Sequence, residues 1–224
     1  MFTKNVRINQ LDVASKKVSS NNDICLLEKH LIIQFEDTQW DVSATPSFSD
    51  YFIQGLLFYE LNIHEKLHIH LDVDHIHQVT RLAPLPQPSI LPIPEHLQHD
   101  DVIRWVKAFR SQQTLYHQTG ATQAVGCVTN DGQLLVFECL SLKNCMQKLM
   151  GALIKKHHAY LPVLLISHRI LSEDVPLILT FKPQILICQS AISADALALL
   201  TPYQMTIFGF CRKNKYNRYS NHHL

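Results

Sequence analysis

Three short apolar runs in the second half constrain this chain most: LPVLLIS at 161–167, QILICQS at 184–190 and QMTIFGFCR at 204–212. The first two, brief and continuously apolar, read as buried strands, the pattern of a sheet covered by helices, and the third reads as a last strand. Helical patterns stand between them. SEDVPLILTF (172–181) opens with a possible cap, and SADALALL (193–200) is a short helix. Upstream, DDVIRWVKAFRSQQ (100–113) is an amphipathic helix with Val102, Val106 and Phe109 on one side. AVGCVTNDGQLLVFECL (124–140) is a hairpin turning at Asn130-Asp131-Gly132. NCMQKLMGALIKKHH (144–158) is a helix whose basic last turn suits its dipole. This alternation predicts an α/β layer around a partly parallel sheet.

The first half reads differently. Residues 1–22 are polar and read as loosely ordered. ICLLEKHLIIQFEDTQWDVSA (24–44) alternates as two strands around the EDTQ turn. Thr45-Pro46 breaks the pattern, and Ser47 or Ser49 is placed to cap a helix through YFIQGLLFYE. KLHIHLDVDHIHQVTRL (66–82) reads as a strand pair. APLPQPSILPIPEHL (83–97) follows, and its five prolines cannot donate ladder hydrogen bonds. The expected division is a loose N-terminus at 1–22, an α+β portion at 23–82, a connector at 83–99 and an α/β domain at 100–224.

A net charge of +1 gives no global pull toward nucleic acid or an anionic membrane. No apolar run reaches membrane-spanning length, and MFTKNVRINQLDVASKK lacks an apolar signal core, so the cytoplasm is expected. The cysteines at 25, 127, 139, 145, 188 and 211 include no C-x-x-C pair, and most sit in apolar runs as reduced thiols would. No zinc site is expected. HIHLDVDHIH sets His68 and His70 on one strand and His75 and His77 on another; a polar strand face and a metal approach both fit that spacing.

Three further stretches are candidates for chemistry. HQTGATQAV (117–125) holds a Thr119-Gly120 turn that could present N–H groups to an anion, or simply turn. SHRILSED (167–174) puts Ser167 and Arg169 directly after a buried strand, where open α/β sheets bind ligands. Arg169 there suits a phosphate, or pairs with Glu173. CRKNKYNRYS (211–220) carries basic residues and tyrosines fit to clamp phosphates or stack a base, or to form a solvated tail.

The order of these segments resembles the formate dehydrogenase accessory sulfurtransferase family from about residue 24 to 220. Its first-half pattern stands here as Glu28, Leu31, Ile33, Thr45-Pro46, Gly55, Leu56, Leu57 and Glu60. Its T-G-G-x-H-x-A loop stands at 119–125, with Gln123 in place of histidine. Its E-D-V-G-R-H-N-A-x-D-K-x-x-G segment keeps Glu138, Asn144, Lys148 and Gly151. Cys139, Ser141, Leu142, Lys143 and Gln147 replace the Asp, Gly, Arg, His and second Asp. S-G-R-x-x-x-E appears as Ser167, His168, Arg169 and Glu173, and S-x-P-T is reduced to Ser190–Ser193. The closing G-F-x-R-x-x-x-x-N-x-Y matches Gly209, Phe210, Arg212, Asn217 and Tyr219.

The resemblance implies a cytidine-deaminase-like three-layer α/β/α domain with a mixed sheet, plus a smaller N-terminal α+β portion, in a homodimer. It implies persulfide relay from a cysteine desulfurase, on a C-x-x-C loop, to the molybdenum or tungsten bis-guanine-dinucleotide cofactor of formate dehydrogenase. It assigns the cofactor's guanine ends, with GDP as their mimic, to Thr119, Gly120, Glu138, Asn144, Lys148, Ser167, Arg169, Glu173, Arg212 and Asn217. The cysteine loop belongs between the two halves, where RLAPLPQPSILPIPEHLQ contains no cysteine. Three readings follow: a cofactor-binding accessory protein without the relay; a sulfurtransferase using Cys127 or Cys139, which could face each other across the hairpin; or a decayed paralogue kept as an interaction protein. The chain lacks the H-x-E and P-C-x-x-C motifs of a zinc deaminase.

Overall fold

The computed structural model describes residues 3–45, 49–64, 67–71, 76–81, 97–129, 132–156 and 162–220. It opens with an antiparallel hairpin, β1 (Thr3–Asp12) and β2 (Lys17–Leu26), paired from Thr3 opposite Leu26 to Asp12 opposite Lys17. This corrects the reading of 1–22 as loosely ordered. Almost every side chain of the hairpin is exposed, so it has no apolar period to betray it. Cross-strand polar pairs assist the ladder, as where Asn21 Nδ2 donates to Gln10 Oε1 at 2.9 Å.

Next come β3 (Lys29–Phe35), β4 (Thr38–Ala44), α1 (Ser49–Leu61), β5 (Leu67–Leu71) and β6 (Ile76–Arg81). The four strands form one sheet in the order β4-β3-β6-β5. The period of two along β3 turns Leu31, Ile33 and Phe35 inward, against Phe52, Ile53, Leu56 and Leu57 of α1. Ser49 is the first residue of α1, and Ser47 lies outside the described residues. The β5–β6 register pairs His70 with Gln78 and His77 with Leu71, so the ladder sets no two histidines opposite each other. His75 lies outside the described residues, as does most of the proline-rich connector.

The second half supplies α2 (His99–Ser111), α3 (Thr114–Thr119), β7 (Gln123–Val128), β8 (Leu134–Cys139) and α4 (Leu142–Lys156). Then follow β9 (Val163–Ile166), α5 (Val175–Thr180), β10 (Ile185–Cys188), α6 (Ala194–Leu200), β11 (Thr206–Arg212) and β12 (Lys215–Arg218). Six strands make a mixed sheet in the order β12-β11-β10-β9-β7-β8. The expected apolar runs are its parallel centre, β9, β10 and β11. One face packs against α4, α5 and α6, and the other against Val102, Val106 and Phe109 of α2. The expected α/β class and mixed sheet are present, with helices on both faces. Among the described residues, no helix is long and apolar enough to cross a membrane.

The two sheets are joined through α1 and α4, which cross at backbone contact. A Cβ on Gly55 would stand 1.8 Å from the Gln147 carbonyl oxygen, and one on Gly151 would stand 1.8 Å from that of Tyr51. Only glycine allows this crossing. It fixes the N-terminal sheet beside the end of β8.

Candidate functional site

The parallel strands β9, β10 and β11 end at one edge of the six-stranded sheet. The start of β7 and the end of β8 lie at that same edge, because both are antiparallel to their neighbours in the right sense. Three loops leave this edge and are stitched together. Gln189 N–H donates to Ile166 O at 2.9 Å and Ile170 N–H to Ala191 O at 3.0 Å. Phe210 N–H donates to Ser190 O at 2.9 Å. Loops beyond the carboxyl ends of strands are where open α/β sheets hold ligands.

The expected binding residues divide into two groups here. In the first, the side chains are consumed by the fold. Glu138 is 9% exposed, and its carboxylate accepts from Leu115 N at 2.8 Å, Tyr116 N at 2.7 Å and Thr122 Oγ1 at 2.9 Å. It therefore caps α3 from a neighbouring strand, where Gln113 at the N-cap supplies no side-chain bond. Asn144 Nδ2 donates to Ser43 O at 3.0 Å, tying α4 to β4. Lys148 is fully buried and donates to Thr45 Oγ1 at 2.7 Å and Thr45 O at 3.2 Å. Ser167 Oγ accepts from Ala124 N at 2.8 Å, and Thr119 Oγ1 donates to Leu115 O at 2.7 Å.

The second group faces outward. Gly120 takes φ 65° as it ends α3, a left-handed turn with open space above its Cα. Arg169 and Glu173 are both exposed, and of the two readings offered for Arg169 the ion pair with Glu173 is absent among the described residues. Arg169 makes no hydrogen bond or ion pair with any described residue. Arg212 is exposed but anchored, its Nε donating to Gln189 O at 2.8 Å. The 211–220 stretch is no free tail: Lys213 and Asn214, at φ 47° and 65°, turn β11 back into β12, as a two-residue hairpin turn requires. Beside that hairpin an open groove of about 530 Å³ is lined by Phe210, Arg212, Lys213, Lys215, Tyr216 and Asn217. Its cations and rings suit an anion carrying an aromatic base.

Residue-by-residue reading missed three features of this edge. Phe210 is 44% exposed at φ 52°, a backbone conformation costly for a bulky residue and typical of functional sites. The side-chain atoms Gln123 Oε1 and Gln189 Nε2 are buried with no hydrogen-bond partner among the described residues. Gln123 opens β7 and Gln189 follows β10, so both orphaned atoms belong to the strand-end edge. Buried polar atoms without partners are uncommon, and here they leave hydrogen-bonding capacity for a bound group or a water. The sequence marked Gln123 only as a replacement for the family loop's histidine, Phe210 only as a motif match, and Gln189 only by its place after the apolar run ILIC.

The two candidate thiols do not face each other. The register sets Cys127 opposite Leu135 and Cys139 opposite Gln123. Cys127 is fully buried in the core under α4. Cys139 instead meets residues of α4. Burial alone would push its thiol up, but hydrogen bonding with Cys145, the Lys148 charge and Thr45 outweigh that and bring it down to about 7. At Cys188 and Cys211 burial wins instead, over the Ser190 backbone and the Arg212 charge at the first and the Cys188 backbone at the second, and pushes each up to about 12.

Known proteins share this chain's features. Residues 72–224 match the FdhD/NarQ family. A protein named sulfur carrier protein FdhD from Bordetella bronchiseptica is 32% identical over 152 residues, covering 66% of this chain and 53% of the relative. One of the same name from Geobacillus kaustophilus is 27% identical over 123 residues, 54% of this chain and 47% of the relative. The chain thus spans about half the length of the curated relatives it matches. A crystal structure of a formate dehydrogenase accessory protein from Desulfotalea psychrophila superposes with a TM-score of 0.80, covering 99% of this chain and 98% of that one. At 17% identity, that likeness is one of fold.

Proposed function

The chain belongs to the FdhD/NarQ family, and from that premise we propose that it is a formate dehydrogenase accessory protein that binds the guanine ends of the molybdenum or tungsten bis-guanine-dinucleotide cofactor. The cofactor is its cargo. GDP is the soluble mimic, formate dehydrogenase is the client, and a cytoplasmic homodimer is the working form. The observation that carries this reading is the strand-end edge with its outward Arg169 and the groove around Arg212. In this reading Arg169 and Arg212 take phosphate oxygens, Gly120 lets backbone approach the ligand, and Phe210 or Tyr216 packs on the base. Asn217 and the exposed Glu173 offer polar contacts to base or ribose.

The family's persulfide relay through a C-x-x-C loop is lost in this proposal, because the segment at 83–97 contains no cysteine. A second reading, sulfur carriage from a cysteine desulfurase on Cys139, is favoured by the Lys148 charge beside that thiol. Its weakness is that Cys139 is fully buried, whereas a carrier sulfur must meet a donor protein.

The test is co-purification. The protein is isolated from cells that assemble the bis-guanine-dinucleotide cofactor, then denatured, and released nucleotide is hydrolysed and identified by chromatography. Guanine nucleotide and molybdenum or tungsten leaving with the wild type, and not with Arg169→Ala, is the expected result. Protein free of both would overturn the proposal.

A further inference from the structure

The β1–β2 hairpin stands apart from both larger sheets as a two-stranded sheet of its own. Its ladder runs without a bulge from Thr3 opposite Leu26 to Asp12 opposite Lys17. Nearly every side chain is exposed, so no core holds it. A lone two-stranded hairpin is marginally stable in water and gains from a further strand. β2 also runs beside α3, whereas β1 has β2 as its one strand partner among the described residues. The outer edge of β1 therefore carries a row of backbone N–H and C=O groups that no described strand meets. Such an edge is a template for another strand, and natural proteins blunt it with proline or a bulge. Residues 3–12 contain neither.

We infer that β1 is a dimer seam: two copies of the chain pair their β1 edges antiparallel about a two-fold axis at Ile8, making one four-stranded sheet in the order β2-β1-β1-β2. This rests on the proposed homodimer, names its interface, and needs no nucleotide. The register follows from the strand's own sequence, TKNVRINQLD. N–H groups alternate in direction along a strand, so a strand meets its own copy only through residues of equal parity. Centring the pair on Arg7 would set two guanidinium groups against each other. Centring it on Val6 leaves Asp12 past the end of the other strand, and centring it on Asn9 leaves Lys4 there. Centring it on Ile8 sets Lys4 opposite Asp12 at both ends, Val6 opposite Gln10 and Arg7 opposite Asn9. Opposite charges facing across a pair stabilise a sheet, and like charges destabilise it. The same register gathers the exposed Val6 and the half-buried Ile8 of both copies on one face. Asp12 also accepts from Ser15 N at 2.9 Å, which holds its carboxylate at the strand end.

The experiment follows dimerisation of the full chain by sedimentation velocity for the wild type, Lys4→Glu, Asp12→Lys, and an equal mixture of the two variants. Alone, each variant meets its own copy with like charges at both ends, and its dimer dissociation constant should rise roughly tenfold. In the mixture the charges are complementary at both ends again, so a heterodimer as tight as the wild type should form. A variant whose hairpin had merely unfolded would gain nothing from mixing. A wild-type dimer indifferent to both substitutions, or a mixture no tighter than the separate variants, would overturn this seam and leave the homodimer standing on another face. A wild type that stays monomeric at the highest concentration reached would overturn the seam and the homodimer together.

Discussion

The two flanks of the strand-end edge carry residues of the same motifs and use them in opposite ways. At the end of β8, Glu138, Asn144 and Lys148 are spent on the scaffold, holding α3, β4 and Thr45. Beyond β9 and β11, Arg169, Glu173 and Asn217 face solvent, and Arg212, though it donates to Gln189 O and Ser190 Oγ, stays exposed. A motif position therefore does not announce its role. Glu138 resembles a binding acid in sequence and is a helix cap in space. The difference lies in burial: a carboxylate 9% exposed must have its lone pairs met by the protein, whereas an exposed guanidinium is free to meet a ligand.

The scaffold flank should fail first under mutation. Gly151→Ala drives a Cβ into the Tyr51 carbonyl, so it should cost about 3 kcal/mol or prevent folding, as read by urea denaturation. Glu138→Ala, which orphans the N–H groups of Leu115 and Tyr116, should cost about 2 kcal/mol by the same measurement. A loss as small as that of an exposed substitution would erase the distinction between the flanks.

Alkaline pH separates the flanks more gently. Cys145, Cys188 and Cys211 are raised above the ordinary thiol value of 9.0, and Tyr59 above 10.0. Each holds a proton in the folded state that the unfolded state releases, so each contributes stability that is complete below its unfolded value and lost as pH rises toward the folded one. Lys148 is lowered from 10.5 and acts in the opposite sense. Cys139, brought down to about 7, also opposes them, but its contribution is complete once pH passes the unfolded thiol value of 9.0, so urea midpoints should fall as pH rises from 9.0 toward about 12. The smallest effect belongs to Arg169→Ala, which should leave stability within about 0.5 kcal/mol of wild type by thermal unfolding.

Much of the fold was legible because burial writes itself as period. The runs at 163–166 and 185–188 are continuously apolar and, with the strand at 206–212, became the parallel centre; Val102, Val106 and Phe109 repeat at helical spacing and face the core. Elements stabilised by other means left no such trace. β1, β2 and β12 are exposed along nearly their whole length, and α3 is a six-residue helix capped from Glu138, far along the chain. The site was legible in part for the same reason. Arg169 stood out by following a buried strand. Phe210 and the orphaned amides of Gln123 and Gln189 gain meaning only when three loops are brought to one edge. The facing of Cys127 and Cys139 failed on register alone, since a hairpin with Cys139 opposite Gln123 cannot pair the two thiols.

The most direct test of the central claim, that the open flank holds a guanine nucleotide, is isothermal titration with GDP under reducing conditions. Wild-type protein should bind with a Kd on the order of micromolar, and Arg169→Ala should lose that heat while keeping its thermal midpoint. No heat and no thermal shift for the wild type at millimolar GDP would contradict the account and leave a partner-binding remnant of the family in its place.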